Sequence, residues 1–510
     1  MASASLSLIE LEVLEARRTV TEFQKTPKAL AQHLLKAIPE ANKSDLEAVL
    51  DLGILTDELM GAGTWSKLND SERNLMSSAY RRALHEIIDG YGQNDSTAKM
   101  RLLHLEEKEN TAEAICLLPF NVLLKLRLAR RNDTWYLVEI VETDTNLNAI
   151  SEVIKPTVTY IENARAGRKA AIVPTEFTRA LLLIHTNADK ALAVVDDALK
   201  TKPSDPGLRL LKTLALLNVD KKDEAIKLLR ELSNEGFVPA VYRLAAALSR
   251  SEDEKLKAEA TPLYKRYTEL EPHDPRGFRD LAIVSEDAEP AQAEAAYRKV
   301  IELNPADTDG YLNLITFLVV HDRVGEVRPL LAAADKMKDE ADVDVFASVL
   351  QDLTDYDDSS YAEKLAASEP LRMKTSASAN LALASLYGKN ERYALALRHY
   401  QTAAQLDKTS ARARAGIAFV HRKQGRLSAA LREAQQAIAL NAEDGDAHWE
   451  LACALARLGR IKQAMAALEK AVELDPDLAD WLADEPDLKP LAHLPAFKKL
   501  LPPPEKNNPR

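Results

Sequence analysis

The sequence predicts a mainly α chain: an α-solenoid of repeated helix pairs, preceded by a small α+β domain with a four-stranded antiparallel sheet. Three observations carry this. Ala396, Ala430 and Ala464 stand 34 residues apart, as do Ala384, Ala418 and Ala452, and Ala403, Ala437 and Ala471. Small residues recurring at one period mark places where neighbouring helices cross closely. Between residues 98 and 142 the apolar period falls to two, with Val122, Leu124, Leu126 and Leu128 on one side and Lys125 and Arg127 on the other, as in half-buried strands. Aromatic residues make up only 5% of the chain and glycine is sparse at 16 of 510 residues, a composition that favours helix over an all-β fold.

Taken in order, residues 6–92 read as helices. Leu6, Ile9, Val13 and Ala16 share a face, as do Leu30, Leu34, Leu35 and Ile38, and Pro27 and Pro39 punctuate them. Asn69, Asp70, Ser71 and Glu72 supply cap-type residues before a helix through Tyr80, Leu84 and Ile88. Strands follow at 100–106, 112–120, 122–128 and 136–140, with Asn132-Asp133 as a hairpin turn. A helix at 149–164 precedes a basic hinge at Arg165, Arg168 and Lys169, so the first domain is expected to span 1–168. Irregular helix pairs fill 169–376, where Pro272 and Pro305 each close a unit, and three regular units fill 377–478. Residues 479–500 read as a helical cap and 501–510, with Pro502, Pro503 and Pro504, as a disordered tail.

The alanine columns, with Leu383, Ile417 and Leu451 between them, Gly425 and Gly459 at the turns, and Asp475-Pro476 at the close, resemble the tetratricopeptide repeat family. That resemblance implies a superhelix whose first helices line a concave, partner-binding face. Leu59-Met60-Gly61, Trp65, Leu68, Glu72-Arg73, Leu84, Tyr91 and Trp135 to Glu139 resemble the MlaC-type phospholipid-carrier family, which implies a cone-shaped, cystatin-like first domain.

The charge balance of 67 cations against 79 anions gives a net −12 without long like-charged blocks, which argues against a nucleic-acid partner. No stretch is long and apolar enough to predict a transmembrane helix. Residues 1–14 carry no Lys or Arg and do not read as a secretory signal, so a cytoplasmic location is expected, or a periplasmic one if the true start lies upstream. Cys116 and Cys453 stand alone in the sequence, and the ten histidines include no pair at ligand spacing; neither a disulfide, a metal nor a cofactor is expected. Catalytic signatures such as His-Glu-x-x-His, Gly-x-Ser-x-Gly and Gly-x-x-x-x-Gly-Lys are missing. The chain reads as non-enzymatic, with Glu113, Glu139 and His104 as the candidates an enzyme reading would need.

Carried over from the repeat resemblance, the concave positions are Ser378, Leu381 and Ser385, then Arg412, Ala415, Phe419, Arg422 and Lys423, then Trp449, Cys453 and Arg457. Leu381, Ser385, Gly416, Asp446 and Glu450 stand where relatives that clamp chaperone tails need Lys and Asn. The expected partner is a protein or peptide: Phe419 and Trp449 seat its apolar side chain while Arg412, Arg422 and Arg457 pair with its acidic groups. Trp449 is equally suited to packing on the next repeat. A second expectation is a phospholipid or other apolar ligand against Leu102, Ile115, Leu117, Val122, Leu124, Leu126 and Ile140, the alternative being an ordinary core beneath the helices.

Overall fold

The computed structural model describes residues 23–37, 48–92, 101–118, 123–143, 147–168, 175–184, 186–336, 344–356 and 360–502, the side chains of 58, 83–92, 147–153 and 355 excepted. The expectations at Leu6–Ala16, Ile38, Val122 and the tail beyond Pro502 lie outside these residues. The chain forms two compact units, Met1–Pro305 and Ala306–Arg510. Arg168, the expected boundary, falls inside the first.

The first unit opens with a 3₁₀ turn, Phe23–Lys25, and helix α1 (Pro27–Ala37), whose Leu30, Leu34 and Leu35 are buried as one apolar stripe. Helices α2 (Leu52–Met60), α3 (Thr64–Lys67) and α4 (Asp70–Gly92) follow. The expected capping box forms: Glu72 N–H donates to Asn69 Oδ1 at 2.9 Å, and Asn69 N–H donates to Glu72 Oε2 at 3.0 Å. The sheet then runs β1 (Arg101–Glu107), β2 (Thr111–Leu117), β3 (Leu123–Arg131), β4 (Thr134–Glu142) and β5 (Leu147–Asn148), antiparallel in chain order. The four expected strands are present. The fifth has two residues, too few to show a period. Asn132 and Asp133 turn the β3–β4 hairpin at φ 51° and 60°, the left-handed pair that a type I′ turn requires. Helix α5 (Ala149–Arg165) covers the sheet with α1 and α4, and the core between them holds Leu30, Leu34, Met76, Leu124, Leu126, Trp135, Leu137 and Ile140.

Helices α6 (Glu176–Ile184), α7 (Ala188–Thr201), α8 (Pro206–Asn218), α9 (Lys222–Asn234), α10 (Val238–Ser249), α11 (Glu254–Ala258), α12 (Ala260–Leu270), α13 (Pro275–Ser285) and α14 (Pro290–Leu303) complete the first unit. The sheet reaches them through its outer face. Lys125 Nζ lies 3.0 Å from Glu271 Oε1, Arg101 donates to Asn304 Oδ1 at 3.2 Å, and Arg276 donates to Thr143 Oγ1 at 3.2 Å. The rings of His104 and His273 stack with centroids 3.5 Å apart.

The second unit contains α15 (Thr308–Val320), α16 (Val327–Asp335), α17 (Val345–Asp352), α18 (Ser360–Ser368) and α19 (Pro370–Thr375), then the regular pairs α20 (Ala377–Lys389) with α21 (Tyr393–Leu406), α22 (Ala411–Lys423) with α23 (Leu427–Leu440), and α24 (Gly445–Arg457) with α25 (Ile461–Leu474). Every alanine of the three columns is buried at 0% exposure, which is why a larger side chain is excluded there. Each pair turns through a left-handed residue, Glu391, Gly425 or Gly459. Two 3₁₀ turns, Pro476–Trp481 and Pro486–Leu491, and helix α26 (Pro495–Leu500) form the cap. It buries Leu482, Leu488, Leu491 and Phe497 on the last pair.

Candidate functional site

Of the expected concave positions, Leu381, Arg412, Phe419, Arg422, Lys423, Trp449 and Arg457 were the candidates for the groove, and they have three different environments. Arg422, at the C-terminal end of α22, is 1% exposed. Its Nε donates to Glu450 Oε2 at 2.7 Å and its Nη2 to Glu450 Oε1 at 2.9 Å, while Nη1 meets Asp487 at 2.5 Å and Glu485 at 3.2 Å. Burial works against the Arg422 charge, but Glu450 and then Glu485 hold the guanidinium protonated more firmly than usual. Lys423 lies 3.4 Å from Glu485, and Arg457 lies 3.4 Å from Asp487 and donates to the Arg422 carbonyl at 3.0 Å. Trp449 is 8% exposed and packs among Cys453, Leu482 and Leu488 in the terminal core. The cap therefore holds the positions at which Arg422, Lys423, Trp449 and Arg457 were expected to meet an incoming peptide. The correction has a plain cause: the chain carries its own acidic segment, Glu485-Pro486-Asp487, which satisfies those cations.

Phe419 belongs to neither end. Arg422 and Lys423 stand 5.6 and 5.8 Å from its ring centroid, Tyr393 meets it edge-on, and a Cβ built on Gly388 would come within 3.1 Å of it. It is a half-buried packing residue under two cations.

Leu381 and Arg412 do line an open cleft of about 520 Å³, with Leu312, Asp344, Ala347, Ser348, Gln351, Asp352, Ser378 and Ala382. Asp344 is fixed by accepting from Ala347 N–H at 3.2 Å and Ser376 Oγ at 2.7 Å, and Asp352 accepts from Thr316 Oγ1 at 3.2 Å. Arg412 is exposed and forms no ion pair among the described residues. The cleft thus offers an apolar floor, carboxylates on α17 and a cation on α22. The α17 residues were missed because the 342–375 stretch has no alanine columns; Asp344 before the apolar Val345-Phe346 was the available signal, and it is the helix N-cap.

The leucine row of the sheet is divided by strand register. Cys116 pairs with Leu124 and Leu126 with Ile140, so Leu102, Leu124, Leu126 and Ile140 face the helices and belong to the main core. Ile115 and Leu117 point to the opposite face and cluster with Leu123. They do not line one pocket, and the helix-facing members are filled core. Glu113 and Glu139 both pair with Arg127 in the ladder, whereas His104 is stacked on His273. Burial pushes the Cys116 thiol up to about 12 and the Cys453 thiol well above its ordinary value, so neither is a reactive thiolate. Among the described residues no group of three His, Cys, Asp or Glu is placed to hold a metal, and no helix is long and apolar enough to cross a membrane.

No curated protein matches the sequence. Among solved structures, MamA (41-end) from Desulfovibrio magneticus RS-1 is 17% identical with a TM-score of 0.29, covering 33% of this chain and 98% of its own. YrrB, titled a TPR protein with an unusual peptide-binding site, is 19% identical with a TM-score of 0.21, covering 42% of this chain and 93% of its own. The first third's resemblance to MlaC-type domains gains no support from any of these matches. Residues 417–479, from within α22 to the first turn of the cap, match the family model described as tetratricopeptide repeat.

Proposed function

We propose that the protein is a non-enzymatic interaction scaffold that takes a peptide segment of a protein partner in the cleft formed by α15, α17, α20 and α22. One observation carries this reading. In the second unit Arg422, Lys423 and Arg457 are paired with Glu485 and Asp487 of the cap, while Arg412 stands exposed beside half-buried Leu381 in an open cleft. An unpaired guanidinium next to an apolar floor suits a segment with one apolar anchor and a carboxylate to meet Arg412 in a two-pronged hydrogen bond. Asp344 and Asp352 favour a basic or amide group at its other end. Two buried free cysteines support a reducing compartment, the cytoplasm, as the place of action. A lipid-carrier role gains no support: Leu124, Leu126 and Ile140 are core beneath the helices with Leu102 packed against them, and Ile115 and Leu117 lie on the other face.

The test is selection of peptides from a phage-displayed library on the full chain, followed by titration against wild type and a Leu381→Asp/Arg412→Glu variant. Selected peptides should share an apolar and an acidic position and bind the variant at least about tenfold more weakly, with the melting temperature unchanged. Peptides that bind both proteins equally well would place recognition elsewhere.

A further inference from the structure

The cleft proposed to take a peptide holds two carboxylates, and they are not equivalent. Asp344 is built into the fold. It is the N-cap of α17, accepting from Ala347 N–H at 3.2 Å, and it also accepts at 2.7 Å from the hydroxyl of Ser376, itself the N-cap of α20. A carboxylate at a helix N-terminus is favoured by the helix dipole. A cation of the chain also answers its charge: Arg372 is held protonated more firmly than usual by Asp335 first, then by Glu369 and Asp344.

Asp352 is in the opposite situation. It is the last residue of α17, half-buried, with no basic residue in that last turn and no ion pair among the described residues. The C-terminal end of a helix is already negative, so a second negative charge there is unfavourable, and partial burial strengthens the repulsion. The hydroxyl of Thr316 on α15 donates to Asp352 Oδ2 at 3.2 Å and fixes the side chain at the wall of the cleft. A neutral donor leaves the charge in place. A charge that opposes its own helix and meets no cation of the chain is the kind of stability cost that sites retain for a ligand.

Resting on the peptide cleft proposed above, we infer that the partner segment is bipolar: a lysine or arginine meets Asp352, a carboxylate meets Arg412, and an apolar side chain between them lies on Leu312, Ala347 and Leu381. The two charged walls are two helices apart, because α20 packs on both α17 and α22. Axes of packed helices lie about 8–10 Å apart, which separates α17 from α22 by about 16–20 Å. Extended chain covers about 3.3 Å per residue, so the base and the acid stand about five or six positions apart. Asp344 sets no such requirement, since its charge and hydrogen bonds serve the helix ends.

The test measures fluorescence anisotropy of labelled, capped peptides on the full chain. The first peptide carries a lysine and a glutamate about five positions apart around a central leucine, the second carries them as near neighbours, and the third has glutamine in place of the lysine. The first should bind at least about tenfold more tightly than either of the others. Asp352→Asn should lose the preference for lysine over glutamine while keeping or raising the melting temperature, because it removes a charge that opposes the helix dipole. Asp344→Asn should keep that preference. Asp352→Lys should bind a peptide with glutamate in place of the lysine, the pair restored with its signs exchanged. Equal binding of the first two peptides would overturn the spacing. An Asp352→Asn protein that still prefers lysine, while Arg412→Glu abolishes binding, would overturn the bipolar segment and leave the cleft standing. Binding that neither variant alters, or no binding of the first peptide to wild type, would overturn the cleft and the bipolar segment together.

Discussion

Helix α22 carries an arginine near each end, and the two have opposite roles. Arg412 is exposed at the mouth of a cleft; Arg422, less than three turns on, is 1% exposed and surrounded by Glu450, Glu485 and Asp487. The helix and the residue type are the same, so neither explains the difference. What differs is the neighbour. At the Arg422 end the cap, which packs on the following pair, reaches back over the inner surface and brings Glu485 and Asp487 with it. At the Arg412 end the neighbour is the irregular pair containing α17, which leaves space. In a repeat array, then, a groove cation reports a binding site only where the chain does not supply its own counter-ion.

The largest effect should come from removing the buried cation. Arg422→Ala leaves Glu450 buried and facing Glu485 and Asp487, a loss of about 3–5 kcal/mol in unfolding free energy by denaturant titration. Replacing Arg422 by Met and Glu450 by Leu together should recover much of it, because the desolvation of both charges disappears with the pair. If Arg422→Ala were as mild as a surface change, the contrast between the two arginines would collapse.

The middle of the same helix gives the next effect. A Cβ at Gly416 would lie 2.2 Å from Tyr400 Cε1, and Tyr400 is itself buried on α21. Gly416→Ala should therefore cost about 1–3 kcal/mol, despite alanine's better helix propensity. It should also disturb both ends, weakening peptide binding at Arg412 as α22 moves off Tyr400. Gly277 against Tyr267, at 2.6 Å, repeats the arrangement in the first unit.

Acid should separate the two ends further. His399 Nδ1 lies 2.9 Å from Asn380 Oδ1, on the pair that carries Leu381, and burial, then Arg398, holds its pKa below the ordinary value. A histidine that binds protons less readily folded than unfolded contributes fully above the unfolded value of about 6.5, and that contribution is lost as pH falls through it. Stability should decline between pH 7 and 5, and His399→Gln should flatten that slope. His273, lowered first by burial and then by His104, adds the same sign in the first unit, so the flattening is partial; the double variant with His273→Gln should remove more of it.

The repeat architecture was legible because an alanine at a helix crossing admits no substitute, and three such columns fix the period. The strands were legible from alternation and the α4 start from its capping box. Which leucines share a face was not, since that depends on register: Cys116 opposite Leu124 puts Ile115 on the far side, and a one-residue slip would reverse it. The cleft escaped notice because half of it comes from α17, where no column marks the helix. Nor could spacing show that Glu485 and Asp487 return to Arg422, 63 and 65 residues away. Only the fold brings them together, although an acidic segment after a basic groove was a hint.

The smallest change in stability belongs to the residue on which function is proposed to depend most. Arg412 is exposed, has no ion pair among the described residues, and projects from a helix whose packing is carried by Ala413, Ile417 and Ala418. Arg412→Glu should shift unfolding free energy by no more than about 0.5 kcal/mol, the range of ordinary surface substitutions. The same change places a third carboxylate near Asp344 and Asp352, so a peptide acid that met the guanidinium now meets repulsion, and affinity for the selected peptides should fall by at least about tenfold. Arg412→Lys separates geometry from charge, since an ammonium keeps the attraction but cannot form the bidentate pair. Intermediate affinity for the lysine variant is expected if the partner carboxylate is held by a fork. Affinity equal to wild type would mean that the cleft attracts acidic segments by charge without orienting them.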